Sequence, residues 1–204
     1  MPQRGYYNKE TLHEILDARF LCHVGFVING QPFAIPTLYG REDNTIYIHG
    51  ASTSRIITNM EHGVDVCLNV THVDGLVLAR SAFHHSMNYR SAVVFGTARI
   101  VNGNENNHAL YIILENAVKG RWEDARKPSQ KELKATTVLA ISIEQASSKI
   151  RIGPPKDDTE DYDLDIGAGV LPIVQSFGKL IPDSELDFGI KPSVNLQKLM
   201  QNEV

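Results

Sequence analysis

The sequence has few of the features that mark several large protein classes. Its 204 residues include only two cysteines, Cys22 and Cys67, each within an apolar run. We expect core thiols in a reducing compartment, with a disulfide between them as the alternative. No apolar run approaches the roughly 20 residues that span a bilayer, and the first ten residues lack the apolar core of a signal peptide. These absences predict a cytoplasmic protein with no membrane partner.

A net positive charge and the known phosphate-binding loops are also missing. The net charge of −4 argues against a nucleic-acid partner, which would require a basic surface. Neither a G-x-G-x-x-G or Walker loop nor a G-x-S-x-G nucleophile elbow is present. The adjacent His84 and His85 would point to opposite sides of a strand, and no third ligand stands at metal-binding spacing. The sequence therefore predicts no metal site.

Short apolar runs separated by turn residues predict a mainly β protein with a few short helices. Asn29-Gly30 indicates a tight hairpin, and Asp74-Gly75 indicates a second tight turn. The polar stretch 84–91 is expected to be irregular. Capping-box spacing at Thr11–Glu14 and Ser129–Glu132 predicts two helix starts. Pattern alone indicates a small barrel or sandwich.

The chain changes character after Ile152. Residues 1–152 form the predicted barrel domain, whereas 153–204 are rich in Pro, Gly and Asp. The second part contains apolar residues that need a surface to lie on. We expect an extended C-terminal arm that packs on the barrel or on a partner subunit.

The stretch "YIHGASTSRIITNM" joins an apolar strand to a short helix through three consecutive hydroxyl residues and Arg55. Two interpretations compete. The hydroxyls cap the helix, since Ser and Thr are favoured caps. Alternatively, the hydroxyls, the helix N–H groups and the guanidinium hold an anion such as phosphate.

Several segments together resemble a known family. The order "GFVINGQPFAIPTLYG", "HGASTSR", "DGLVLARSAFHHSMNYRSAVVFG" and "GRWEDAR" is similar to the pyridoxamine 5′-phosphate oxidase-like proteins, in particular their flavin-nucleotide-binding and nitroimidazole-resistance branch. The resemblance implies an antiparallel six-stranded split β-barrel of the FMN-binding type. It also implies a homodimer that binds FMN at the subunit interface.

The resemblance also implies roles for individual residues. His49 would lie close to the flavin and take part in reduction, with a purely pocket-lining histidine as the alternative. Trp122 would either cover the flavin or be a partly buried aromatic. The implied cofactor-binding residues are Pro36, Thr37, Tyr47, Ile48, His49, Ser52, Thr53, Ser54, Arg55, Tyr89, Arg90, Ser91 and Lys149.

The run "AIPTLY" lacks the cations that vitamin B6 oxidases carry on the corresponding strand, so oxidation of that vitamin is not expected. The favoured function is an FMN-dependent oxidoreductase of small organic acceptors, such as nitroaromatics or quinones. One alternative is a non-catalytic flavin-binding or storage protein. Another is a haem-binding relative in which His84 or His85 ligates the iron.

Overall fold

The computed structural model describes residues 4–53, 55–58, 63–187 and 189–201. Its α-helices are α1 (Lys9–Asp17), α2 (Arg55–Thr58), α3 (Asn104–Ala117), α4 (Arg121–Asp124), α5 (Gln130–Ala135) and α6 (Val194–Gln201). Its strands are β1 (Gly5–Tyr6), β2 (Leu21–Ile28), β3 (Gln31–Glu42), β4 (Thr45–Ala51), β5 (Val64–Leu78), β6 (Ser86–Ile100), β7 (Thr136–Ser142), β8 (Gln145–Arg151) and β9 (Gly169–Pro172).

Six of these strands close into an antiparallel barrel. The order is β6-β7-β4-β3-β2-β5, and β5 pairs again with β6. This closure confirms the predicted mainly β class and the barrel. β8 and β1 extend from β6, and β9 extends from β5, so the barrel carries a strand extension at two places.

Gly96 lies where β6 changes neighbours. Up to Phe95, β6 pairs with β8, and from Ala98 it pairs with β7. The neighbouring strand β7 approaches β6 so closely here that a Cβ on Gly96 would lie 2.0 Å from the backbone oxygen of Ser142. Barrel closure therefore depends on the missing side chain at this position.

The core has two parts. Inward-facing residues of the barrel strands form the larger part, and α1 covers one end of the barrel with Leu12, Ile15 and Leu16. The smaller part lies between α3 and the outside of β4 and β7, and it includes Tyr47 and Ile113. Alternation along β4 thus sends successive side chains into two different clusters.

The barrel is split between β3 and β4. Their pairing register ends at Tyr39 and Ile48, although β3 continues with β2 back to Gln31 and β4 continues with β7 to Ala51. The backbone N–H of Tyr39 donates to Phe20 O on the β2 side, at 3.1 Å. Because backbone groups alternate along a strand, those of alternate β3 residues face the split.

The turn signals were partly confirmed. Asn29 and Gly30 have φ values of 51° and 78°, as the predicted hairpin requires. The tight turn predicted at Asp74-Gly75 was wrong, because β5 runs straight through with a register shift between Val73 and Gly75. A Cβ on Gly75 would lie 2.9 Å from Leu171 O, so this glycine admits the edge strand β9. The DG pair marks a bulge with a close neighbour.

Of the two capping boxes predicted from the sequence, one was confirmed and the other was wrong. The Ser129–Glu132 capping box is present in full. At α1, however, Asn8 is the cap and accepts a hydrogen bond from Thr11 N, so the predicted role of Thr11 was wrong. The polar stretch 84–91, expected to be irregular, belongs to β6 from Ser86 onward. Pairing with β5 and β8 on both sides of β6 outweighs the polar composition there.

The chain after Ile152 runs back over the same barrel. Asp157 accepts backbone hydrogen bonds from Arg80 and Ser81 and pairs with the Arg80 guanidinium, and its side chain is 1% exposed. β9 then pairs with β5, and Asn195 in α6 donates to Gly120 O beside α4. The division at residue 152 stays a prediction. In the described part of the chain, no helix is long and apolar enough to cross a membrane.

Candidate functional site

The first group of predicted site residues lies on β3, on β4 and in the turn that follows β4, next to the split. Alternation places the backbone groups of Leu38 and Pro36 toward it, whereas Thr37 turns its carbonyl toward Cys22, whose Sγ lies 3.6 Å away. Pro36 has no N–H and contributes only its carbonyl to the split. The backbone donor in this part of β3 is therefore the N–H of Leu38. Leu38 was missed at the sequence level, because strand alternation could not be assigned without the pairing of β2 and β3.

Two predicted residues of β4 turn away from the split. Ile48 is 3% exposed and lies in the barrel core, and Tyr47 is 6% exposed and lies under α3. Burial is the largest cause that raises the pKa of Tyr47, and the nearby Glu105 carboxylate adds to it. Neither side chain is available to a ligand at the surface.

His49 follows on β4 with an accessible side chain. It lines a groove of about 320 Å³ together with Leu110, Arg126 and Thr136. Burial by its neighbours still lowers the pKa of the imidazole below its ordinary value. The ring is therefore neutral at pH 7, in a form that can both donate and accept a hydrogen bond.

The hydroxyl turn follows directly. Ser52 and Thr53 are exposed, and the backbone N–H of Ser52 donates to Ala135 O at 3.4 Å. Ser54 lies outside the described residues. Arg55 is the first residue of α2, and its side chain lies outside the described part of the structure. The contribution of both residues to an anion site stays a prediction.

The second group lies on β6 and β8. Ser91 faces Lys149 across the two strands, with Ser91 Oγ 3.5 Å from Lys149 O, and Lys149 Nζ lies 5.9 Å from the centre of the Tyr89 ring. Arg90 is on the other side of the strand in a two-bond ion pair with Asp74, at 3.0 and 2.7 Å. Tyr89, Ser91 and Lys149 therefore form one outward-facing patch, and Arg90 has a structural partner instead.

The two groups lie on strands that are not direct neighbours. β4 ends next to β7, and β7 meets β6 only from Ala98 onward. Ser91 lies seven residues before Ala98, which is roughly 23 Å along the strand at about 3.3 Å per residue. Through β7, therefore, no pairing links His49 directly to Ser91.

A separate cleft of about 670 Å³ adjoins the two adjacent histidines, and Arg4 and Lys156 also line it. His85 Nδ1 is 3.0 Å from Ser81 O, so this nitrogen donates to the carbonyl and Nε2 is the ring nitrogen left for another partner. His84 Nε2 is 3.3 Å from Asp158. Phe83, beside them, is 89% exposed. Among the described residues, no cluster of three or more His, Cys, Asp or Glu could hold a metal ion.

Trp122 is a partly buried aromatic. Its ring packs edge-on against Tyr111, with ring centres 5.7 Å apart, and Lys127 Nζ lies 4.9 Å from the ring centre. Its backbone N–H donates to Glu115 at 2.9 Å. These contacts favour the second of the two roles considered for it.

Comparisons with known proteins agree with this architecture. A family model described as pyridoxamine 5′-phosphate oxidase matches residues 8–150. The structure of the flavocytochrome Anf3 from Azotobacter vinelandii is 38% identical, with a TM-score of 0.87, and the match covers 97% of this chain and 92% of that one. The FAD and heme binding protein from Mycobacterium smegmatis is 30% identical, with a TM-score of 0.91 and coverage of 96% and 97%.

A protein described as a 5-nitroimidazole antibiotic resistance protein from Bacteroides thetaiotaomicron is 23% identical, with a TM-score of 0.61. The match covers 72% of this chain and 87% of that one, and at this identity it supports the fold alone. Comparison with curated proteins gives no match. Coverage of 96–97% in the two stronger matches has to include most of residues 153–204, beyond the end of the family model.

Proposed function

The chain belongs to the pyridoxamine 5′-phosphate oxidase family, and from this premise we propose that it is a flavin-binding redox protein. The split between β3 and β4 carries the proposal. It offers the Leu38 N–H and the Pro36 carbonyl as neighbours for the polar edge of an isoalloxazine ring, near His49 and the hydroxyl turn. The flavin would supply the redox chemistry, and the protein would supply binding and orientation.

The phosphate of the flavin would be held by Ser52, Thr53, Ser54 and Arg55. We propose FAD as the bound form, because the similar protein named for FAD extends over 96% of the chain. The sequence favoured FMN, which lacks the adenylate part of FAD. FMN is the other outcome of the test. Flavin released by heat and separated by chromatography distinguishes the two nucleotides by mass.

We assign His49 the role of handling a proton at the flavin. Its pKa is lowered by burial, so a neutral imidazole faces the groove at neutral pH. The His49→Gln variant should keep its flavin and lose reduction of an acceptor such as a quinone or nitroaromatic. If the variant reduces the acceptor at the rate of the native protein, His49 only lines the pocket. If the native protein binds flavin without turning over any such pair, the non-catalytic alternative is favoured.

A homodimer would complete the site. His49 lies on β4 and the patch formed by Tyr89, Ser91 and Lys149 lies on β6 and β8, and we propose that the two come from different subunits at one flavin. The outer sheet face also leaves large apolar side chains uncovered in the single chain. These include Leu21, Val27, Leu38, Val73 and Phe95.

Haem is the second candidate cofactor. The two similar proteins described above that are at least 30% identical have names that include a cytochrome or haem. In this chain, the free Nε2 of His85 would ligate the iron, with its other nitrogen fixed by Ser81 O, as is usual for ligating histidines. Arg4 and Lys156 would face the propionates. Haem would add one-electron chemistry to the flavin.

The first experiment is the visible spectrum of the purified full chain. Flavin bands with a Soret band support both cofactors, flavin bands alone support the flavin proposal without haem, and a colourless protein that takes up neither cofactor refutes both. The Arg55→Ala variant should bind flavin about 10- to 150-fold more weakly, through loss of a charge-assisted phosphate contact of about 1.5–3 kcal/mol. Lys179→Ala, on the arm, is the matched control.

For haem, the His85→Ala variant should lose or shift the Soret band, whereas His84→Ala should keep it. A spectrum unchanged in both variants would assign the iron to another residue and leave the flavin proposal intact.

A further inference from the structure

The C-terminal arm forms a cleft of its own. A space of about 370 Å³ against α4 is lined by Leu180, Leu186, Ile190 and Leu196 of the arm. The cleft is separate from the β3–β4 split, from the His49 groove and from the histidine cleft, with which it shares no lining residue. Nothing in the proposed flavin chemistry uses it.

Polar contacts hold this part of the arm in place. Asn195 Nδ2 donates to Gly120 O at 3.1 Å, and Gln197 Nε2 donates to Pro192 O at 2.7 Å. Asp124 accepts hydrogen bonds from Ser193 and Asn195. The cleft is therefore anchored to α4 from one side and braced by α6 from the other.

The apolar walls remain exposed. Leu180 is 47% exposed, Leu186 40% and Ile190 58%. An apolar body that covered these side chains would remove apolar surface from water, which is favourable. The walls thus favour an occupant with an apolar body.

Two cations border the same cleft without a charged partner. Arg121 comes from α4 and Lys191 from the arm, and within the described ranges neither side chain makes an ion pair or hydrogen bond. Of the two carboxylates on α4, Asp124 accepts hydrogen bonds from Ser193 and Asn195, and Glu123 pairs with Lys127. A guanidinium and an ammonium beside an apolar cleft favour a ligand that carries an anionic group.

We propose that this cleft binds a small amphipathic anion, a carboxylate with an apolar tail of about ten carbons. The volume of 370 Å³ corresponds to about twelve non-hydrogen atoms at roughly 30 Å³ each, the share of a molecule in liquid water. The apolar tail would lie on Leu186 and Ile190, and the carboxylate would lie between Arg121 and Lys191. A haem or a flavin is much too large for this space.

The test is calorimetric titration of the full chain, in its purified holo form, with decanoate and with 1-decanol. Decanoate should bind with one site per chain, and decanol should bind at least tenfold more weakly because it lacks the charge. Arg121→Gln and Lys191→Gln should each weaken decanoate binding about tenfold. Lys119→Gln removes an exposed cation that does not line the cleft and should leave the affinity unchanged.

Three results would overturn the proposal. The first is no decanoate binding at millimolar concentration, as expected if a second copy or another segment covers the cleft. The second is equal binding of decanol and decanoate. The third is equal weakening by Lys119→Gln, which would indicate general charge attraction. The flavin spectrum should be unchanged in all three variants, so failure here is distinguishable from failure of the flavin proposal.

Discussion

Replacing Gly96 by alanine tests how the barrel closes. The new Cβ would lie 2.0 Å from Ser142 O and 3.2 Å from its carbonyl carbon. Because the obstacle is backbone, no side-chain rotation relieves the contact, and the strands must separate by more than 1 Å. Overpacking in a well-packed region costs about 1–3 kcal/mol and occasionally more. We expect about 3 kcal/mol here, since the β6–β7 pairing that begins at Ala98 is also disturbed.

Urea unfolding measures this cost directly, with flavin content and protein concentration matched between samples. A loss of about 3 kcal/mol corresponds to a fall in Tm of about 6–12 °C for a chain of this size. Gly167→Ala is the matched control, because nothing lies within 4 Å of its Cβ position, and it should stay within about 0.5 kcal/mol of the native protein. A Gly96→Ala protein of native stability would refute the closure argument.

Three further predictions concern titrating groups. Burial, and next the charge of Arg90, lowers the pKa of His72, so its stabilising contribution is complete above the ordinary value of 6.5 and declines as pH falls. The stability difference between native protein and His72→Gln should therefore shrink from pH 7.5 to 5.5 in urea titrations. Burial alone would raise the pKa of Asp157, but hydrogen bonds from Arg80 and Ser81 outweigh it, and the pKa is lowered. The contribution of the Asp157 carboxylate to stability is therefore lost only in acid, as pH falls through the lowered pKa. Asp157→Asn should be cut faster by trypsin after Lys156. Burial raises the pKa of Cys22 to about 12, so the native thiol should resist Ellman's reagent at pH 8 and react after unfolding.

Much of the fold followed from local patterns. The Asn29-Gly30 hairpin and the Ser129–Glu132 capping box depend on a few neighbouring residues, and both are present. Gly75 shows where this reasoning fails. The DG pair is typical of a turn, but its glycine serves a contact with Leu171, almost a hundred residues later in the chain. Such long-range contacts leave no local signal.

The site was predicted less completely than the fold. The resemblance singled out the strand of Tyr47, Ile48 and His49, but only the structure shows that the first two are buried and that His49 is accessible. The side of a strand that faces a ligand depends on pairing register, and a shift of one residue exchanges the two sides. The role of Leu38 could not be found for the same reason.

The split edge of β3 has a consequence for solubility. An unpaired strand edge usually recruits strands from other molecules, because its N–H and C=O groups form a ready template for aggregation. In β3, both Pro32 and Pro36 occupy positions whose backbone nitrogen faces the open edge, by alternation from Tyr39. An incoming strand would therefore find alternate donors missing and could not extend a regular ladder. The chain can keep this edge open for a ligand while giving foreign strands little to pair with.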